Sequence, residues 1–123
     1  AKYAIFTAKH WLGFCHWQSE ANPYSMKILK WRDGKGDMVK EFTDSCRKYG
    51  LPAGLFTEAS ESVQLSVHKY KITPKSPLTQ AEYDHMVSGE LEELCTKYGP
   101  LCEVWYDMRE GPYTEPFRAM AWA

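Results

Sequence analysis

Apolar positions along this chain follow two different periods, and the switches between them outline its elements. Tyr3-Ala4-Ile5-Phe6 is a short apolar run ending in polar Thr7 and Lys9, which predicts a buried strand of the parallel-sheet kind. Residues 10–36 carry Gly13, Pro23, Gly34 and Gly36 and read as a loop. Asp37 is an N-cap for a helix over 38–49, in which Met38, Val39, Phe42, Cys46 and Tyr49 share one face, and Gly50 supplies the stop. Ala53-Gly54-Leu55-Phe56 predicts a second strand. Thr79-Gln80-Ala81-Glu82 is a capping box, after which Tyr83, Met86, Val87, Leu91, Leu94 and Tyr98 keep helical spacing until Gly99-Pro100. Residues 102–106 predict a third strand, finishing at Asp107.

Strand, helix, strand, helix, strand is the order of two consecutive right-handed βαβ units, hence an α/β fold on a parallel sheet. Such sheets carry their chemistry at the carboxyl ends of the strands, in open folds and (β/α)8 barrels alike. Thr7 to His10, Thr57 with Glu58, and Asp107 occupy those ends here. One segment, 58–78, is longer than a compact αβ domain spends on a connection. Val63, Leu65 and Val67 alternate with Gln64, Ser66 and His68 before the apolar parity moves to Tyr70 and Ile72, so an inserted edge strand with a bulge is expected.

Composition narrows the classes. A chain of 123 residues that is 44% hydrophobic has the length of one domain and can bury about two-thirds of its unfolded surface. Its 15 Lys and Arg against 16 Asp and Glu leave a formal charge of −1, without the basic footprint of a general nucleic-acid binder. The apolar run at 119–123 falls far short of the ~20 residues of a membrane span, and no signal or transit pattern stands out. Cys15, Cys46, Cys95 and Cys102 form no C-x-x-C and have no His pair at metal spacing, so neither a metal nor a cofactor is expected. His16, His68 and His85 read as surface or locally satisfied, and Lys69, Lys71 and Lys75 as a solvated cluster.

Longer strings then become specific. Ala1-Lys2-Tyr3-Ala4-Ile5-Phe6-Thr7-Ala8-Lys9-His10, followed by Gly13-Phe14-Cys15-His16-Trp17-Gln18-Ser19, resembles the AKY…TAKHHDGF…W.S block of the retaining α-L-fucosidases of glycoside hydrolase family 29. Lys30-Trp31-Arg32-Asp33-Gly34-Lys35-Gly36-Asp37-Met38-Val39 resembles that family's WRDGKGDVV segment. Cys46-Arg47-Lys48-Tyr49-Gly50-Leu51 with Gly54-Leu55-Phe56 is similar to CRKYGL…GLY. Thr96-Lys97-Tyr98-Gly99-Pro100-Leu101 with Glu103-Val104-Trp105-Tyr106-Asp107 is similar to TKYGP…EVWFDG. The four blocks keep the family's order and cover the chain to about Asp107, apart from the insert at 58–78.

The resemblance implies part of a (β/α)8 barrel that hydrolyses α-L-fucosides with retention through a covalent glycosyl-enzyme, in a lysosomal or secreted setting. It carries the family's nucleophile onto Asp107 and a sugar-binding histidine onto His10. A retaining glycosidase sets one carboxylate at the anomeric carbon and a second acid ~5 Å away, and a strand-end Asp107 is suited to the first role. Trp17, and with it Trp31, is a candidate for stacking on sugar, since an indole joins a large apolar face to an N–H, although core and loop positions are commoner for tryptophan.

The departures are local. Trp11 stands where the family has a second sugar-binding His, Leu12 where it has Asp, and Met108 where a Gly is usual. Apolar groups at such positions leave the remaining polar groups of a hydroxyl-binding site unpaired. A full barrel takes about 250 residues, and the family's acid/base segment is expected beyond Ala123. Glu58 is the acidic residue at the second strand end, but not at an acid/base position of the family block, and is expected to be a solvated loop carboxylate. Two readings remain: a segment of a working α-L-fucosidase acting on a fucosylated glycan, or a catalytically inactive relict serving as a binding or structural subunit. A free-standing flavodoxin-like domain has less support, because no Gly-rich phosphate loop follows any strand. The start at Ala1 without Met and the apolar 119–123 tail suggest two cut surfaces, and the sheet edges are expected to be covered by the rest of the barrel or a protein partner.

Overall fold

The computed structural model describes residues 1–107. Along the chain come β1 (Ala4–Thr7), a 3-10 turn (Met26–Ile28), α1 (Met38–Lys48), β2 (Ala53–Glu58), β3 (Val67–His68), β4 (Lys71–Ile72), α2 (Gln80–Lys97) and β5 (Glu103–Asp107). The main sheet has the order β1-β2-β5 with both pairings parallel. Parallel neighbours need a crossover, and α1 and α2 supply the two. The chain is thus the expected α/β, parallel βαβαβ segment, built from the strand-helix unit that repeats in a (β/α)8 barrel. Among the described residues no helix is long and apolar enough to cross a membrane.

Both helices start where their caps dictate. The Asp37 side chain accepts from Lys40 N at 2.8 Å, and Gly50, with φ +65°, follows the C-cap Tyr49 in the left-handed conformation that ends a helix. Thr79 and Glu82 form the reciprocal capping box of α2.

The insert departs from expectation. It adds no strand to the main sheet; β3 and β4 instead pair with each other, antiparallel, Val67 opposite Ile72 and His68 opposite Lys71. Lys69 and Tyr70 form the two-residue turn, both with positive φ (47° and 68°), the combination that matches the twist of a tight hairpin. That turn accounts for the shift in apolar parity, since Val67 and Tyr70 both reach the same buried cluster as Tyr83, Met86, Val87 and Leu91 of α2.

Burial separates the two sides of the sheet. Leu55 of β2 is fully buried with Trp17, Val39 and Leu94, while Val104 and Tyr106 of β5 pack against the α2 cluster. The alternate residues Glu103, Trp105 and Asp107 are exposed. For the same reason β1 is half-buried rather than enclosed. It is an edge strand whose second face lacks a covering layer among the described residues.

Candidate active site at the carboxyl ends of the strands

Three side chains line up across the sheet near those ends. The His10 ring stacks on Phe56 at 5.6 Å between centroids and 28° between planes, and Phe56 meets the edge of Trp105 at 5.5 Å and 77°. Phe56 and Trp105 are register partners, as are Glu58 and Asp107 two residues further on. His10 and Asp107, the two strongest sequence candidates, therefore flank the same central strand at the same end, with strand spacings of about 4.8 Å on either side of β2. Both are exposed.

Glu58 differs from its sequence expectation. It is the last residue of β2, only 7% exposed, and its Oε1 accepts from Ser60 Oγ at 2.8 Å. The strand and the following turn close over it, so it is not a solvated loop group. Trp17 also needs correction: it is fully buried, with Nε1 donating to Glu93 Oε2 at 2.8 Å. A ring enclosed in the core offers no face to a sugar, and Trp17 is a core anchor. Trp31 is partly exposed, packed beside Gly36 with the Arg32 guanidinium 5.2 Å over its ring. Met108 lies outside the described residues.

Trp11 and Leu12, the departures from the family pattern, are 52% and 53% exposed. Their backbone is held: Val63 N donates to Trp11 O at 3.1 Å, Gln64 N to Leu12 O at 3.4 Å, and Gly13 N to His10 O at 2.8 Å. Gly13 is required in that turn, because its φ is +87° and an added Cβ would sit 2.3 Å from Ser62 Oγ. The insert thus braces the loop that presents His10.

Behind the loop is a polar network that periodicity did not reveal. Lys9 and Glu90, each 1% exposed, form a buried ion pair through Glu90 Oε2. Glu90 Oε1 accepts from Asn22 Nδ2 at 2.7 Å and from the Cys15 thiol at 3.6 Å. One turn along α2, Glu93 accepts from Trp17 Nε1, Ser19 Oγ (2.7 Å), Glu20 N (2.7 Å) and Ala21 N (3.2 Å). Burial pushes the Glu93 carboxyl up, but the donors from Trp17, Ser19, Glu20 and Lys97 outweigh it and hold it below the usual range. Burial, and then the Glu90 charge, push the Cys15 thiol far above its ordinary value, so it stays neutral. The available sequence signal was positional: Glu90 lies four residues from both Met86 and Leu94 on the apolar stripe of α2, where a charge needs a buried partner.

Among the described residues no group of three or more His, Cys, Asp or Glu is placed to hold a metal ion. The arrangement is an exposed carboxyl side chain and a phenylalanine-backed imidazole at the same end of the sheet.

Known proteins share this arrangement of elements. The family model for alpha-L-fucosidase matches residues 1–121. Alpha-L-fucosidase 1 of Arabidopsis thaliana is 36% identical over 107 residues, covering 87% of this chain and 19% of its own length. A solved alpha-L-fucosidase homologue from Bacteroides thetaiotaomicron is 41% identical with a TM-score of 0.84, over 94% of this chain and 29% of that one. An unliganded alpha-L-fucosidase from Lactobacillus casei, 19% identical, shares the fold with a TM-score of 0.73 over 98% of this chain and 43% of that one. The chain spans about a fifth of the Arabidopsis relative's length and under a third of the Bacteroides structure. With the family's motifs on the strand ends, its βαβαβ geometry and a match along nearly the whole chain, this protein belongs to the alpha-L-fucosidase family of glycoside hydrolases.

Proposed function

We propose that this chain supplies the nucleophile strand and a sugar-binding histidine of a retaining α-L-fucosidase. The observation that carries the reading is Asp107, an exposed carboxylate ending β5 at the same end of the sheet as His10. In the reaction, an Asp107 oxygen attacks the anomeric carbon of the fucose as the bond to the leaving oxygen breaks, giving a glycosyl ester. The leaving oxygen takes a proton from an acid outside the described residues, and that group then withdraws a proton from the water that cleaves the ester. His10, backed by Phe56, donates to or accepts from a fucose hydroxyl and fixes the ring for attack. The substrate is a fucosylated glycan. The edges of β1 and β5 that are unpaired among the described residues pair with further strands, on the same polypeptide or on a protein partner.

Trp11 and Leu12 favour a second reading. Exposed apolar groups replace a His and an Asp of the family motif, which suits a relict that binds or scaffolds without turnover. Hydrolysis of a chromogenic α-L-fucoside by the protein that carries this chain separates the two. Turnover that falls by at least about a thousandfold in Asp107→Asn, with the fold intact by circular dichroism, supports the nucleophile. Absence of turnover in the unsubstituted protein supports the relict.

A further inference from the structure

Glu90 accepts from Lys9, Cys15 and Asn22, all in the connection that follows β1, and among the described residues all but one of the donors to Glu93 lie in that same connection. The exception is Lys97, one turn further along α2. Glu90 holds both ends of the first part of that connection: one oxygen takes Lys9, the other takes Asn22. Between those ends Glu93 takes Trp17, Ser19 and two backbone N–H groups. Ser19 Oγ and Asn22 Oδ1 continue the network inside the loop, accepting from Asn22 N at 3.0 Å and Tyr24 N at 2.9 Å. Fourteen residues with little regular structure are thereby tied at 9 and 22 to one carboxylate on a helix.

His10 is the residue next to the Lys9 anchor. Among the described residues His10 itself has the stack on Phe56 and one turn hydrogen bond from Gly13 N, and the insert braces Trp11 and Leu12 on its C-terminal side. On its N-terminal side the backbone that carries the ring is held from the other side of the sheet, where Lys9 pairs with Glu90 in the core. We infer that Glu90 is a positioning residue for the sugar site, acting through Lys9 to place His10. This rests on His10 contacting fucose, as proposed above. Buried carboxylates on an apolar stripe are costly to desolvate, and these are offset only because each finds several donors on the loop. What they specify is the path of that loop.

The test is a double-mutant cycle on kcat/KM for a chromogenic α-L-fucoside, in the protein that carries this chain. Glu90→Gln keeps a group of the same shape that still accepts from Asn22, while removing the charge that draws Lys9 inward. Its expected effect is a loss of about tenfold beside His10, shrinking to under about twofold in the His10→Ala background, because displacing an absent side chain costs nothing. A merely structural role predicts the same factor in both backgrounds, and that result, or no loss at all, overturns the inference. If Glu90→Gln fails to fold, Lys9→Met/Glu90→Gln removes both charges together and leaves no uncompensated ion. It is expected to show the same dependence on His10, and full activity in it overturns the inference equally. A silent His10→Ala in an active enzyme, or an inactive unsubstituted protein, overturns the underlying fucoside reading and this inference with it. A costly His10→Ala with additive Glu90→Gln overturns this inference alone.

Discussion

The two faces of the three-stranded sheet are built from the same strands and behave as different materials. On the helix side Leu55, Val39, Leu94 and Trp17 are enclosed, and even the charged Lys9 and Glu90 are buried and paired. On the other side Trp105 is 55% exposed and Glu103 and Asp107 are open, next to a His10 whose ring rests on Phe56. The first face is packed against both helices and carries the buried clusters of the described residues. The second holds the groups with candidate chemistry and has no covering layer among the described residues. Placing site residues on a strand whose opposite face is rigidly packed gives them fixed positions without asking them to stabilise the fold.

Substitutions on the two faces should therefore differ most. In the protein that carries this chain, Leu55→Ala removes a fully buried side chain and is expected to cost about 2–5 kcal/mol in urea unfolding. Acid should weaken the same face next. The folded state holds the Glu93 carboxyl below its unfolded value, so the unfolded chain binds the extra proton in acid. Its contribution is present in full above the ordinary carboxylate range of about 4 and is lost as pH falls through the folded value. Urea midpoints measured from pH 7 to pH 3 should drop, and Glu93→Gln should flatten that drop. At the helix start, Thr79→Ala breaks the capping box and should cost about 1 kcal/mol. Smallest is Trp105→Ala on the open face, within about 0.5 kcal/mol. A cost there approaching that of Leu55→Ala would erase the contrast and show that a second copy or partner covers the face in solution.

Much of the fold was legible because its signals are local. Asp37 and the Thr79-to-Glu82 box announce helix starts, Gly50 and Gly99 announce ends, and the alternation of elements implies parallel pairing. Carboxyl ends of parallel strands are reaction sites by geometry alone, so Asp107 and His10 were candidates before any pairing was known, and the resemblance gave them roles. The insert was misread because parity cannot distinguish a bulged edge strand from a two-residue turn at Lys69 and Tyr70 in positive φ. Trp17 stayed open between sugar stacking and the core because a tryptophan in such a loop has the same sequence signature whether it faces solvent or a helix, and its burial decides for the core.

By itself the sequence determined the order of strands and helices, their caps, and the family to which the strand-end residues belong. Only the tertiary structure decided which charges are buried and which aromatic rings are accessible. Lys9 meets Glu90 across 81 residues and Trp17 meets Glu93 across 76, and neither contact leaves a periodic trace. A buried carboxylate is tolerable solely when distant donors converge on it, and that convergence arises once α2 is laid against the loop behind β1.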